Sequence, residues 1–203
     1  MLSRFQEKAK IMITKEQANR NLKDFKSVLD SLGIVFYLDG GTLLGAVRDK
    51  DFCEDDQDDI DLSTDISEWY KIEKLTSEAK KIGFELGHKW ERGEYLYRTK
   101  KRTTSQVSFK KDGGKIDLMF KARKGDFRWW TVFKGWEVVY KKIPDYFLGE
   151  FGTCSFYNVE YKIPILINEY LIWRYDDFLK KVHRRDYSCY TSDKSIVKNY
   201  GEI

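Results

Sequence analysis

The stretch "YLDGGTLLGAVRDKDFCEDDQDDIDLS", Tyr37–Ser63, decides how the rest of the chain is read. It sets two adjacent glycines, one arginine and the aspartates Asp55, Asp56, Asp58, Asp59 and Asp61 within a short span. Like charges this close repel, and folding gains nothing from them unless the run is a solvated loop or faces a strong cation. "DIDLS" alternates polar and apolar residues as a strand does, which puts Asp59 and Asp61 on one face, about 7 Å apart along the chain. Two carboxylates in that geometry are poor neighbours without a divalent cation between them. Hard cations such as Mg²⁺ take oxygen ligands and share them with substrate phosphates.

Outward from this stretch the elements follow from periodicity. Before it, Ala18, Leu22, Phe25, Leu29 and Leu32 recur at helical spacing and predict a helix over Thr14–Leu32. Thr14 and Gln17 resemble a capping box, and Gly33 stops the helix. "IVFYL", Ile34–Leu38, suits a buried strand, and "GGTLLGAV" turns into a short helix. After it, Asp65–Lys81 is expected to be helical, with Trp69, Ile72, Leu75, Ala79 and Ile82 on one face. "YLYRTK", "SQVSFK" and "KIDLMF" read as strands, the last two joined by the hairpin chemistry of "KDGG". Residues 127–163 read as short strands and loops, and "PILINEYLIWRYDDFLKK" as a closing helix led by Pro164. This order of elements gives an α/β (α+β) fold, a small mixed sheet flanked by helices.

Asp117 in "KIDLMF" adds a third carboxylate, flanked by apolar residues as on a central strand. Gly40 and Gly41 let the backbone approach a phosphate, and the N-terminus of the helix they open presents free N–H groups to an anion. Thr42 lies beside them, and Arg48 is placed either to grip phosphate as a planar fork or to pair with a nearby aspartate and order the loop. Singly, a Gly-Gly pair is an ordinary turn, an acidic run a solvated loop and Asp117 a salt-bridged residue. In this order they describe a phosphoryl- or nucleotidyl-transfer site, in which metal offsets charge and the third carboxylate takes up a proton. An EF-hand is excluded, because no glycine stands at the sixth position of any register in the run.

The 203 residues suit one domain, and 41% hydrophobic and 16% aromatic content supports a core without staples. The net charge of +4 is mild; basic residues gather in "KARKGDFR" and "KKVHRR" and acidic ones around Asp51–Asp61. Three cysteines without a C-x-x-C pair and two histidines argue against zinc, and His88 and His183 receive no role. The N-terminus lacks a signal-peptide core and no run approaches 18 apolar residues, so a cytoplasmic protein without a membrane span is expected. The basic stretches near Trp129, Trp130 and Trp136 have a composition that suits RNA, yet core tryptophans and solvated lysines are the simpler reading. Nucleic acid is therefore not the expected partner.

"GGTLLGAVR", then "DDIDL", then an isolated strand carrying Asp117 resembles the polymerase-β-like nucleotidyltransferase superfamily, and the wording is similar to its LicD/fukutin-type branch. The helix before "VFYLDGG" and the closing "VEYKIPILINEYLIWRY" extend the resemblance over about residues 14–180. It implies a single nucleotidyltransferase-fold domain over 1–203, with a core at about 14–125 and a strand-and-helix extension at about 126–203. It further implies Gly40 and Gly41 as the glycine signature, Asp59 and Asp61 as the metal pair, and Asp117 as the third carboxylate. The implied cofactor is Mg²⁺, with Mn²⁺ as a substitute. The implied reaction moves a phospho-substituent, of choline- or ribitol-phosphate type, from a CDP-activated donor to a hydroxyl of a glycan or small acceptor. Two other readings stand beside it: transfer of a nucleotide from an NTP to a small molecule, protein or RNA end, and an inactive nucleotide-binding module. The branch carries an aromatic residue and consecutive aspartates before the pair; here "CEDDQDDIDL" has Gln57 within the run.

Overall fold

A computed structural model describes residues 13–89, 104–134, 137–182 and 194–197. Helix α1 (Lys15–Ser31) begins where Thr14 accepts a hydrogen bond from the Gln17 amide at 3.2 Å. Only half of the expected capping box forms, since the Gln17 side chain turns to Asn21 and Asp112 instead. Ala18, Leu22, Phe25 and Leu29 form its buried face, and Phe25 stacks at 4.8 Å on Phe109 and 5.3 Å on Phe84. Gly33, at φ +60°, lets the chain leave the helix.

Strand β1 (Phe36–Leu38) is shorter than the apolar run, and it leads into α2 (Gly40–Arg48). Then come β2 (Asp59–Asp65), a 3-10 turn over Ile66–Lys71, and α3 (Ile72–Lys81). The single helix expected over Asp65–Lys81 is thus divided. Asp65 caps the 3-10 turn by accepting from the Ser67 amide, and Trp69 packs edge-on against Phe120 at 4.8 Å. β3 (Glu85–Lys89), β4 (Thr104–Lys111) and β5 (Gly114–Lys124) follow, with "YLYRTK" outside the described residues. Asp112 and Gly113 form the β4–β5 turn at φ +50° and +82°, the left-handed pair that matches strand twist.

Residues 127–163 resolve into β6 (Phe127–Lys134), β7 (Glu137–Pro144), β8 (Phe151–Phe156) and β9 (Val159–Pro164). The closing helix, α4 (Ile167–Tyr175), is much shorter than the sequence implies. Pro164 ends β9 instead of starting the helix, and Asp176, at φ +59°, terminates it. Leu179, which lies within the expected helix, is exposed beyond it.

The architecture is mixed α/β. The sheet runs β1-β2-β5-β4-β3, with β6 and β7 added at the far end of β5. β2 and β5 are parallel and the other pairs antiparallel; β8 and β9 form a separate hairpin. Among the described residues no helix is long and apolar enough to cross a membrane. Trp129 and Trp130 are core residues.

One charge lies deep in this core. The Asp39 carboxylate is 0% exposed and accepts from Lys121 Nζ at 2.6 Å, Ser63 Oγ at 2.6 Å, Tyr170 Oη at 2.6 Å and Arg174 Nη1 at 3.1 Å. Lys121 sits 4.3 Å from the Trp130 ring centre. Burial alone would raise the Asp39 pKa, but Lys121 and then Arg174 outweigh it and hold the carboxyl far below its ordinary range. Burial lowers Lys121 to about 8, with Asp39 opposing and Arg174 adding to the shift. The bonds tie the β1–α2 junction to β2, β5 and α4.

Asp39→Asn should therefore destabilise the protein by about 3–5 kcal/mol in urea unfolding at pH 7, the usual cost of leaving buried partner charges uncompensated. Because the folded pKa is depressed, the native state binds fewer protons than the unfolded chain below the ordinary value of 3.8. The gap between wild type and variant should be full at neutral pH and begin to close only as pH falls through that value.

Candidate active site

Parallel pairing of β2 with β5 sets Asp59 opposite Lys115 and Asp61 opposite Asp117. Alternation along each strand then turns all four side chains to one face of the sheet. Carboxylate oxygens of Asp59, Asp61 and Asp117 lie within 4.8 Å of one another. Oxygens on one octahedral Mg²⁺ stand about 3 Å apart when adjacent and about 4.2 Å when opposite, so side-chain rotations moving these oxygens by about an ångström or two would let them share an ion. The donor set fits the Mg²⁺ that the sequence resemblance implies: three hard oxygens, and no sulfur or imidazole among them.

Each carboxylate is oriented by the fold. Asp61 Oδ2 accepts from the Gly41 amide at 2.9 Å, at the positive end of α2. The Asp61 amide donates to Thr42 Oγ1 at 2.9 Å, and its carbonyl accepts from the Asp39 amide at 3.1 Å. Asp117, on a buried stretch of β5, accepts from Ser108 through one oxygen and from Lys115 Nζ at 2.7 Å through the other. Lys115 also reaches Asp59 at 3.0 Å. Burial pushes the Asp61 pKa well up, and the charges of Asp59, Asp117 and Asp56 push it further, against the Gly41 hydrogen bond. Lys115 is held protonated: burial lowers its pKa, but Asp117 and Asp59 more than reverse this.

The glycines also have a task within the chain itself. A Cβ on Gly40, which sits at φ +51°, would stand 2.1 Å from Asp61 Oδ2, and one on Gly41 would stand 2.3 Å from Asp56 Oδ2. Gly-Gly thus lets two carboxylates approach the start of α2, and the Gly41 N–H is engaged by Asp61. Thr42 is buried and joins α2 to β2. Arg48 is bonded to Asp49 at 2.7 Å and to the Phe178 carbonyl at 3.4 Å, the loop-ordering geometry of the two that the sequence allows. A cleft of about 770 Å³ opens beside Asp59 and Lys115, walled by the β4–β5 turn, Lys110, Gly83 and Glu85.

Residues 33–165 match the family described as LicD/FKTN/FKRP, nucleotidyltransferase domain. The chain belongs to that family. The matched span contains the glycine pair, all three carboxylates and Lys115, while α4 lies beyond it. No curated protein matches the chain. Among the solved structures similar to it are two of the antibiotic-resistance factor ANT(2'')-Ia. A solution structure aligns with TM-score 0.40 at 12% identity, covering 57% of this chain and 52% of that one. A crystal structure in complex with adenylyl-2''-tobramycin aligns with TM-score 0.38 at 12% identity, covering 56% and 54%. The chain thus spans about half the length of these neighbours.

Three residues in or beside the carboxylate cluster escape a reading by motif. Ser108 is 9 residues from Asp117 in sequence but opposite it in the β4–β5 register. Lys115 stands in the same "KID" as Asp117, where a period of two already puts both on one face. Asp39 directly precedes the glycines, yet its partners Lys121 and Arg174 are 82 and 135 residues away.

Gly40→Ala should destabilise the fold by about 2–4 kcal/mol, combining a left-handed φ with a collision at Asp61. A double-mutant cycle with Asp61→Ala, read by urea unfolding, should return a coupling of at least about 1 kcal/mol, because removing the carboxylate removes the collision. Additive effects would show that the backbone conformation alone requires glycine.

Proposed function

We propose that this LicD-family chain is a metal-dependent transferase. It moves a phospho-substituent, of the choline- or ribitol-phosphate type, from a CDP-activated donor to a hydroxyl of a glycan or small acceptor. The observation that carries the reading is the gathering of Asp59, Asp61 and Asp117 on one sheet face. Asp59 and Asp61 would hold Mg²⁺, or Mn²⁺ in its place, with Asp117 as the third oxygen ligand. The ion supplies neutralisation of the charge that develops on the transferring phosphoryl oxygens.

The chain's own residues account for the remaining steps. The cleft beside Asp59 admits the donor, with Lys110 on its wall to meet anionic oxygens. The acceptor hydroxyl oxygen forms a bond to the transferred phosphorus, and the bond from that phosphorus to the bridging oxygen breaks, releasing CMP. The hydroxyl proton passes to a carboxylate oxygen of Asp117, which Ser108 keeps oriented. The same carboxylates would serve direct transfer of a nucleotide from an NTP, with pyrophosphate as the leaving group.

The leaving group therefore tests the reading. Incubation with CDP-choline or CDP-ribitol, Mg²⁺ and glycan acceptors should release CMP, followed by phosphorus NMR. Pyrophosphate release from CTP or ATP would assign nucleotidyl transfer instead, and binding without either product an inactive module. Asp59→Asn and Asp61→Asn should each lower Mg²⁺-dependent turnover by at least about 10³-fold while the protein stays folded. Asp61→Asn should also raise metal-free stability by about 1 kcal/mol in thermal melts, because the amide still accepts from Gly41 without the repulsion of Asp59 and Asp117.

A further inference from the structure

Lys115 occupies the fourth corner of the carboxylate array. It faces Asp59 across the parallel pair, and its ammonium lies 3.0 Å from Asp59 Oδ1 and 2.7 Å from Asp117 Oδ2. Those are oxygens of the same carboxylates that would bind a divalent ion. A metal bonded to them at about 2.1 Å would lie within a few ångströms of Nζ, where two cations repel strongly. Ser108 holds the second oxygen of Asp117, and the Gly41 amide holds Asp61, so the carboxylates keep their orientation whichever cation is present. The Lys115 side chain is 35% exposed and lines the neighbouring cleft, which gives the ammonium somewhere to turn.

We propose that Lys115 is a resident counter-ion that alternates with the metal: it pairs with Asp59 and Asp117 in the metal-free protein, yields them to the divalent ion, and swings into the cleft to contact the donor's phosphate. This rests on the metal-dependent reading above. Its consequence is that the free site neither repels itself open nor closes around its ion before a donor is present, because metal and donor phosphate together take over what Lys115 did alone. Lys115 is then a ligand for substrate only after it has been displaced, and metal and donor bind cooperatively.

Two binding measurements on Lys115→Met carry opposite signs. Titration calorimetry with MgCl₂ alone should show Mg²⁺ binding tightened about tenfold or more, since a competing cation has been removed. Binding of CDP at saturating Mg²⁺ should weaken about tenfold, since a phosphate contact has been lost. In melts, the metal-free variant should lie below wild type, and saturating Mg²⁺ should close the gap. Lys115→Gln gives a second neutral variant if the first folds poorly, and Lys115→Arg should retain weak Mg²⁺ binding. Unchanged or weaker Mg²⁺ affinity in the neutral variants, with wild type still binding the ion through Asp59 and Asp61, would overturn the exchange and leave the transferase reading standing. Absence of Mg²⁺ binding in both wild type and the neutral variants would overturn both.

Discussion

Everything near the site hangs from one buried anion. Asp39 is closed off from bulk solvent, so its charge survives because Lys121, Arg174, Ser63 and Tyr170 converge on it from β5, α4 and β2. A carboxylate so fully satisfied has a single position. The next residue is Gly40, and the Asp39 amide donates to the Asp61 carbonyl. Fixing Asp39 therefore fixes where α2 begins and how far it stands from β2. That spacing admits the Asp61 carboxylate against the Gly41 amide and leaves no room for a Cβ at either glycine.

How much of this was legible in the sequence follows the range of each interaction. Asp59 and Asp61 could be placed on one face because strand alternation is local, whereas the parallel pairing of β2 with β5 that sets Asp117 opposite Asp61 is a tertiary contact with no local signal. The role of Gly40 and Gly41 was legible only in kind. Close approach was expected, but the partner is a carboxylate of the same chain. The Asp39 cluster was not legible, since nothing local distinguishes Lys121 in a basic run from a solvated lysine. It is buried only because Trp130, Tyr37 and Tyr170 enclose it. Arg174 was likewise one charge in an expected long helix.

The misread boundaries have physical causes too. Pro164 is a helix-start signal by composition, but a strand's last residue tolerates a missing N–H as well as a helix's first turn does. The apolar spacing from Ile167 to Leu179 mimics one long amphipathic helix, yet Asp176 adopts a left-handed conformation that ends it. In Asp65–Lys81 the pattern is helical throughout, and the tighter first turn follows from Asp65 capping Ser67 and Trp69 reaching Phe120.

Asp39 and Asp61 are the same residue type, joined by a backbone hydrogen bond, and their surroundings drive them apart. Around Asp39, two cations and two hydroxyls exceed what one carboxylate needs, and its pKa falls. Around Asp61, burial and then the charges of Asp59, Asp117 and Asp56 outweigh one backbone N–H, and its pKa rises. A fold could not retain the second environment deep in its core, where uncompensated charge costs several kcal/mol. It can retain it beside Asp59, which lines a cleft, braced by the first. The saturated anion therefore braces the fold, and the deficit of positive charge is gathered on the sheet face that carries Asp59, Asp61 and Asp117. Lys115 stands where the deficient cluster meets the cleft, because it is bonded to Asp59 and Asp117 and lines the cleft.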